Sequence, residues 1–219
     1  MDQDLAATSF VDSDHPNIQA FASEATQGAE GDADKASRLF TAVRDAIRYD
    51  PYAIDFEPQT YVASAVLESS GAYCIPKAVL LCAAARAVGI RAMLGFADVR
   101  NHLNTRKLAD LLGTDIFVYH GYTALFINGQ WRKATPSFNI ELCERFGVPP
   151  LEFDGENDAL LHAYDGEGRR HMEYINDHGL FADVPFDTLR EAFMSHYPML
   201  FEDGRAAPTT RFEDETPLA

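Results

Sequence analysis

A cysteine at the start of an apolar helix is the first residue of this sequence that could do chemistry. Cys74 follows Gly71 by three residues and precedes Pro76, which suits a first helical turn because that turn does not need the missing N–H. Free backbone N–H groups and the positive end of the helix dipole stabilise a thiolate there, and could also hold an oxyanion. The pattern predicts a nucleophile. The alternative is a buried cysteine that only packs.

A thiolate nucleophile needs a histidine as general base and acid. Among the seven histidines, His120 lies inside an apolar strand, FVYHGYTALF. The functional interpretation pairs His120 with Cys74. The alternative is a strand histidine that is hydrogen-bonded in the core.

A hairpin predicts which residues could orient the imidazole. Asn128-Gly129 between two apolar runs is typical of a two-residue turn. Because side chains alternate between the faces of a strand, His120 should share a face with Trp131, Thr135 and Asn139 if pairing continues past Pro136. The third member of a catalytic triad is expected on that face.

The other two cysteines predict packing rather than chemistry. Cys82 lies two turns along the same apolar helix as Cys74, and Cys143 lies in a short amphipathic helix. Three widely spaced cysteines without a CxxC do not make a disulfide framework, which indicates a reducing compartment.

The elements that must position these residues form a helical first half and a stranded second half. Apolar periodicity predicts a helix after Pro16, a second in DADKASRLFTAVRDAIRYD capped by Asp32 or Asp34, and a buried central helix from Cys74 to Gly89. Strands are predicted in IRAMLGFADV and in both arms of the hairpin. Helices followed by antiparallel strands favour an α+β fold.

Three further elements are predicted after the hairpin. They are a short helix NIELCERFG capped by Asn139, a hairpin in LLHAYDGEGRRHMEYI, and a helix PFDTLREAFMSHYP with Asp187 as N-cap. His162 and His171 would face each other across the second hairpin, but their spacing matches no strong metal motif. The sequence does not explain residues 140–203, beyond a cover over the cleft.

Composition sets the domain boundaries. The end of the chain, GRAAPTTRFEDETPLA, is rich in proline, threonine and charge without periodicity. Residues 1–15 and 204–219 are therefore predicted to be poorly ordered. No linker or repeat separates the remainder, so residues 16–203 are predicted to form one domain.

At this point the residues resemble the transglutaminase-like superfamily, in its bacterial single-domain form. The resemblance rests on Gly71 to Cys74, RAVGIRAMLGF, HGYTALFINGQW and KATPSFN, and covers roughly Ala36 to Asn139. It implies a papain-like α+β core in which N-terminal helices and a central buried helix pack on an antiparallel sheet. It also implies Cys74 as nucleophile and His120 as base.

One position departs from the superfamily pattern. The aspartate that should stand four residues after the tryptophan is Thr135 here. A threonine can accept a hydrogen bond from an imidazole N–H but cannot offset the charge of an imidazolium. Thr135 is one residue that could orient His120, Asn139 is the other, and an inactive site is the third possibility.

Composition also limits the partners. A formal net charge of −16 argues against nucleic acid or an anionic membrane. The acidic N-terminus lacks the features of an export signal, which favours a cytoplasmic location. No cofactor or metal motif is present, so none is expected. The oligomeric state is not indicated.

Together these features predict cysteine-dependent acyl chemistry on a peptide, a protein or a small amide. The product would be a thioester on Cys74, released by water in a peptidase or amidase and by an amine in a transglutaminase. The alternative is a catalytically inactive module that keeps the fold and binds a peptide or protein partner.

Overall fold

The computed structural model describes residues 2–102, 104–161, 172–201 and 211–216. The helices are α1 (Pro16–Ala25), α2 (Gly31–Ala46), α3 (Ala63–Leu67), α4 (Cys74–Ala87), α5 (Arg106–Leu112), α6 (Ile140–Phe146) and α7 (Phe186–His196). The strands are β1 (Ala92–Asn101), β2 (Ile116–Ile127), β3 (Gln130–Ala134) and β4 (Met172–Phe181). Short 3-10 turns occur at Pro58–Tyr61, Pro198–Phe201 and Phe212–Asp214.

Helix α4 is the centre of the molecule. It has no polar face, and every residue from Cys74 to Arg86 is buried. A helix that is apolar on all sides must be surrounded. Helices α1, α2 and α3 pack against part of its surface and strands β1 and β2 against another part. The predicted buried central helix on an antiparallel sheet is confirmed.

A buried lysine joins α4 to α2. The Nζ atom of Lys77 is fully buried and donates to the carbonyl oxygens of Arg44, at 2.8 Å, and Ile47. Burial lowers the pKa of Lys77 to about 7. The ammonium has three N–H donors and the neutral amine two, so either form can satisfy the two carbonyl acceptors at the end of α2. Lys77 therefore fixes the first turns of α4 against the preceding helix.

The four strands form one antiparallel sheet in the order β3-β2-β1-β4. Asn128 and Gly129 form the turn between β2 and β3 with positive φ values of 51° and 82°. Phe126 pairs with Trp131, as the two-residue turn predicts, and the ladder continues to the pair Thr123 and Ala134. The α+β prediction is confirmed.

The sequence misplaced the caps of two helices. Glu30 is the N-cap of α2, and the Asp34 carboxylate accepts the Glu30 N–H from within the first turn. Pro185 is the N-cap of α7, so Asp187 lies inside the helix. Acidic residues favour both the cap and the first turn, and composition alone does not separate the two positions. Asn139 is the N-cap residue of α6, as predicted, but its side chain makes no cap hydrogen bond.

The second predicted hairpin falls largely outside the described residues. Its turn and both of its histidines lie within residues 162–171, which the structure does not describe. The later part of that segment forms β4, which pairs with β1.

Both ends of the described chain contact the core. Val11 is fully buried, and Arg86 donates to the carbonyl oxygen of Ala6 at 2.7 Å. Near the other end, Phe212 packs against Tyr49 with ring centroids 5.8 Å apart. Of the two segments for which composition predicts little order, the structure describes residues 2–15 and 211–216, and that prediction stays a prediction. Among the described residues, no helix is both long and apolar enough to cross a membrane.

Candidate active site

Cys74 is the first residue of α4, directly after the N-cap residue Tyr73. The backbone N–H groups of Gly121, Ile75 and Cys74 itself lower the pKa of its thiol. Burial nevertheless outweighs these donors and raises the pKa of the Cys74 thiol to about 11. The backbone N–H groups favour a thiolate, but burial favours the protonated thiol, and burial has the larger effect on the resting sulfur.

A close approach of two backbones brings β2 to the thiol. A Cβ atom on Gly121 would lie 2.9 Å from Cα of Ile75, a distance that real Cβ atoms do not show. Only glycine allows the strand to come this near to the first turn of α4. Cys74 and His120, the residue before Gly121, line one cavity.

His120 is buried, with 3% of its surface exposed. Within the described part of the chain its Nε2 atom has no hydrogen-bond partner. Burial lowers the pKa of His120 to about 4, so the imidazole is neutral at pH 7. Burial thus favours the neutral form of both Cys74 and His120 at rest.

Buried hydroxyls lie on β4 and on the segment that follows β3. The ring of Tyr174 on β4 stands edge-on to the imidazole, with centroids 6.3 Å apart. Thr135 and Tyr174 are near enough for their hydroxyls to influence each other. Neither of these hydroxyls, nor that of Ser137, has a hydrogen-bond partner among the described residues. Tyr174 therefore brings one hydroxyl without a described partner into the neighbourhood of His120.

Asn139 has other partners. Its Oδ1 accepts the backbone N–H of Tyr49 at 2.9 Å, and its Nδ2 donates to Glu141 at 2.7 Å. These bonds join the start of α6 to the segment after α2, and neither involves His120.

A second histidine forms the Asp–His pair that His120 lacks. The Nε2 atom of His178 on β4 lies 2.7 Å from Oδ1 of Asp98 on β1. The same Oδ1 accepts the N–H of Tyr119 at 3.0 Å, and the Tyr119 ring stacks on His178 at 4.0 Å. Tyr119 has a positive φ of 55° beside an irregularity in the register of β1 and β2. Asp98 therefore holds the strained backbone directly before His120.

The sequence did not indicate this arrangement. Asp98 ends an apolar run and His178 lies far along the chain, so no local spacing connects them. The connection arises from a shift of register, which sequence periodicity does not reveal.

The cavity shared by Cys74 and His120 is small and apolar. Its volume is about 40 Å³. Aliphatic and aromatic side chains from α5, α7 and the segment after α2 complete the wall, among them Tyr49, Ile54, Leu108, Leu112, Phe193 and Tyr197.

A comparison with protein families covers both residues of the pair. The model described as the transglutaminase-like superfamily matches residues 19–136, which is more than half of the chain. The chain belongs to the transglutaminase-like superfamily. The predicted resemblance is confirmed, and the matched region includes Cys74, His120 and Thr135.

Solved structures with a related arrangement are distant in sequence. A "putative cysteine protease" from Cytophaga hutchinsonii is 14% identical with a TM-score of 0.48, over 97% of this chain and 60% of that one. A "putative protease" from Parabacteroides distasonis is 16% identical with a TM-score of 0.39, over 56% of this chain and 26% of that one. The chain thus spans less than two thirds of either protein. No curated protein matches. The function of this superfamily member is therefore argued from its own residues.

Cys82, Cys143 and Gln59 are not among the residues that line the cavity of Cys74 and His120. Cys82 and Cys143 are buried, and burial raises their pKa values to about 12 and about 11. Gln59 lines a separate groove with a volume of about 610 Å³. That groove also contains Ala72 and Pro76, so it reaches the turn on the other side of Cys74.

Proposed function

We propose that this member of the transglutaminase-like superfamily carries out cysteine-dependent acyl transfer from an amide or peptide bond. Cys74 is the nucleophile, His120 is the general base and acid, and the intermediate is a thioester. The observation that carries the proposal is the shared cavity of Cys74 and His120 at the N-terminus of a rigid, buried helix. A peptide, a protein or a small amide would supply the acyl group. The cytoplasm remains the proposed location.

The reaction begins from a neutral pair. His120 accepts the proton of the Cys74 thiol as the sulfur forms a bond to the carbonyl carbon. The backbone N–H groups that surround the sulfur stabilise its developing negative charge. Since both groups are neutral at rest, this proton transfer accompanies attack on the bound substrate instead of preceding it.

The tetrahedral intermediate then collapses. The C–N bond breaks, and the departing amine takes the proton from the His120 imidazolium. A thioester remains on Cys74. Water or a second amine attacks the thioester while His120 accepts its proton, and the sulfur leaves and recovers a proton from His120. Both acceptors are compatible with the site.

A binding module without catalysis is the second candidate. It is favoured by Thr135, which stands where the superfamily pattern has an aspartate and cannot offset charge on His120. In that case Cys74 and His120 would be remnants of a catalytic site, and the fold would serve to hold a peptide or protein.

Acylation by an activated ester separates the two candidates. We expect p-nitrophenyl acetate to acylate Cys74, as detected by mass spectrometry, and we expect His120→Asn to slow this step. Cys82→Ala is the matched control in the same helix and should leave the acylation of Cys74 unchanged. Slow and equal acylation of all three cysteines, independent of His120, would contradict the enzymatic proposal and favour the binding module.

A further inference from the structure

We infer that the acyl half of the substrate is small, uncharged and apolar, and that it occupies the cavity beside Cys74. This inference rests on the proposed function and specifies the substrate class of the same site. Three observations support it. The cavity wall is uncharged, the hydroxyls of two tyrosines in the wall are hydrogen-bonded within the protein, and the neighbouring groove is more polar.

The wall of the cavity offers no charge to a ligand. Among its described lining residues none is an aspartate, glutamate, lysine or arginine, and His120 is neutral at pH 7. Leu108 and Leu112 of α5 and Phe193 of α7 are buried side chains that face this space. A carboxylate or ammonium placed here would lose its hydration without gaining a partner, which is strongly unfavourable.

Two of the tyrosines in the wall already use their hydroxyls. The hydroxyl of Tyr197 accepts the N–H of Val118 at 2.6 Å and donates to the carbonyl oxygen of Ile116 at 3.1 Å. The hydroxyl of Tyr73 donates to that of Tyr61 at 2.6 Å. These rings therefore present apolar surface to the cavity, and their polar atoms hold the wall together.

The groove beyond Ile54 has a different character. Ile54 lines both spaces, but the groove also contains Asp55, Gln59, Thr60 and Ser69. A carboxylate thus lines the groove on one side of Ile54, whereas none of the described residues that line the cavity on the other side is an aspartate, glutamate, lysine or arginine. The apolar wall is a property of the space that contains Cys74 and His120, which is where the acyl group must sit during attack.

Two esters of equal length test this inference. p-Nitrophenyl butyrate and mono-p-nitrophenyl succinate share a leaving group and a four-carbon acyl chain, but the second ends in a carboxylate. We expect the full-length protein to acylate Cys74 with the butyrate at least about tenfold faster, after correction for uncatalysed hydrolysis. Equal rates at Cys74 would overturn the substrate class and leave the proposed function intact. Failure of both esters to acylate Cys74 would overturn both.

A pair of leucines in α5 supplies matched variants. Leu112 lines the cavity, whereas Leu111 is partly buried and does not. Leu112→Ala should increase the rate with p-nitrophenyl octanoate relative to butyrate, by about threefold to fourfold for each additional methylene that becomes buried. Leu111→Ala should leave this ratio unchanged. If both variants change the ratio equally, the cavity is a packing void and the inference is wrong.

Discussion

Two histidines on neighbouring parts of one sheet have opposite surroundings. His178 has a carboxylate partner at 2.7 Å and a stacked aromatic ring. His120 is buried beside the thiol, with no partner for Nε2 among the described residues. The carboxylate of Asp98 does not contact the proposed base, but it holds the N–H of Tyr119, the residue before His120. The comparison teaches that a carboxylate can hold the backbone beside a proposed catalytic histidine without contacting its side chain.

The largest difference between the two histidines should appear in catalysis. His120→Asn should reduce acylation of Cys74 by p-nitrophenyl butyrate by about 10² to 10⁴, the range for loss of a general base. His178→Asn should reduce it by less than about tenfold, because His178 does not line the cavity. Equal losses of acylation rate in the two variants would contradict the different roles assigned to the two histidines.

A substitution that places a carboxylate beside His120 would remove the difference between the two histidines. Thr135→Asp restores the superfamily residue, and an adjacent negative charge should raise the pKa of His120 by about 1 to 3 units. NMR titration of the imidazole measures this shift, and Thr135→Asn is the uncharged control. An unchanged pKa of His120 would show that position 135 does not orient the imidazole.

The two environments should also respond to different ranges of pH. Burial lowers the pKa of His120 from 6.5 to about 4, so the unfolded chain takes up a proton that the folded protein refuses. Stability should therefore fall as the pH decreases from about 6.5 toward 4, by an amount on the order of 3 kcal/mol. Urea unfolding at several pH values measures this slope, and His120→Asn should flatten it.

The titration of Asp98 should affect stability at a lower pH than the titration of His120. Burial opposes its ionisation, but His178 and the N–H of Tyr119 outweigh burial and keep the pKa of Asp98 below 3.8. The stability that it contributes is present above that value and is lost as the pH falls through the folded pKa. Asp98→Asn should therefore leave the slope between pH 6.5 and 4 unchanged, and a change there would contradict the assignment of that slope to His120.

Moving the backbone of His120 without altering its side chain should have a smaller effect. Gly121→Ala adds a Cβ against Ile75 and should push β2 away from α4, at a cost of about 1–3 kcal/mol. Acylation of Cys74 should fall by about tenfold, because misplacement of a catalytic group lowers the rate steeply. Thr123→Ala loses the buried bond to the carbonyl oxygen of Ala78 and is a control of similar stability with unchanged spacing. Chemical denaturation and acylation rates separate the two variants.

The smallest expected effect on the acylation rate comes from loss of the hydrogen bond between the Tyr119 N–H and Asp98. Asp98→Ala should lower the acylation rate about fivefold, equivalent to 1 kcal/mol of lost positioning. Asp98→Asn should recover part of the rate, since an amide oxygen can still accept the N–H of Tyr119. Absence of recovery would show that His178, rather than the bond to the backbone, accounts for the effect.

The sequence predicts the helices and strands more readily than the surroundings of Cys74 and His120. Cys74, the apolar run after it and the Asn128-Gly129 turn are local patterns, and they predicted α4 and the β2–β3 pairing. The neutral state of His120 depends on burial by segments far away in the sequence, including α7. The engagement of Asn139 by Tyr49 likewise joins residues 90 positions apart. Such long-range contacts leave no local periodicity from which to predict them.

Near the far end of the described chain, Glu215 accepts a hydrogen bond from Tyr52 at 2.9 Å across a sequence separation of 163 residues, and Phe212 packs on the same tyrosine. Tyr52 belongs to the stretch that encloses the thiol. On the ribosome, this stretch is synthesised long before the residues that secure it. These contacts can form only after the ribosome has added the 163 residues that separate Tyr52 from Glu215.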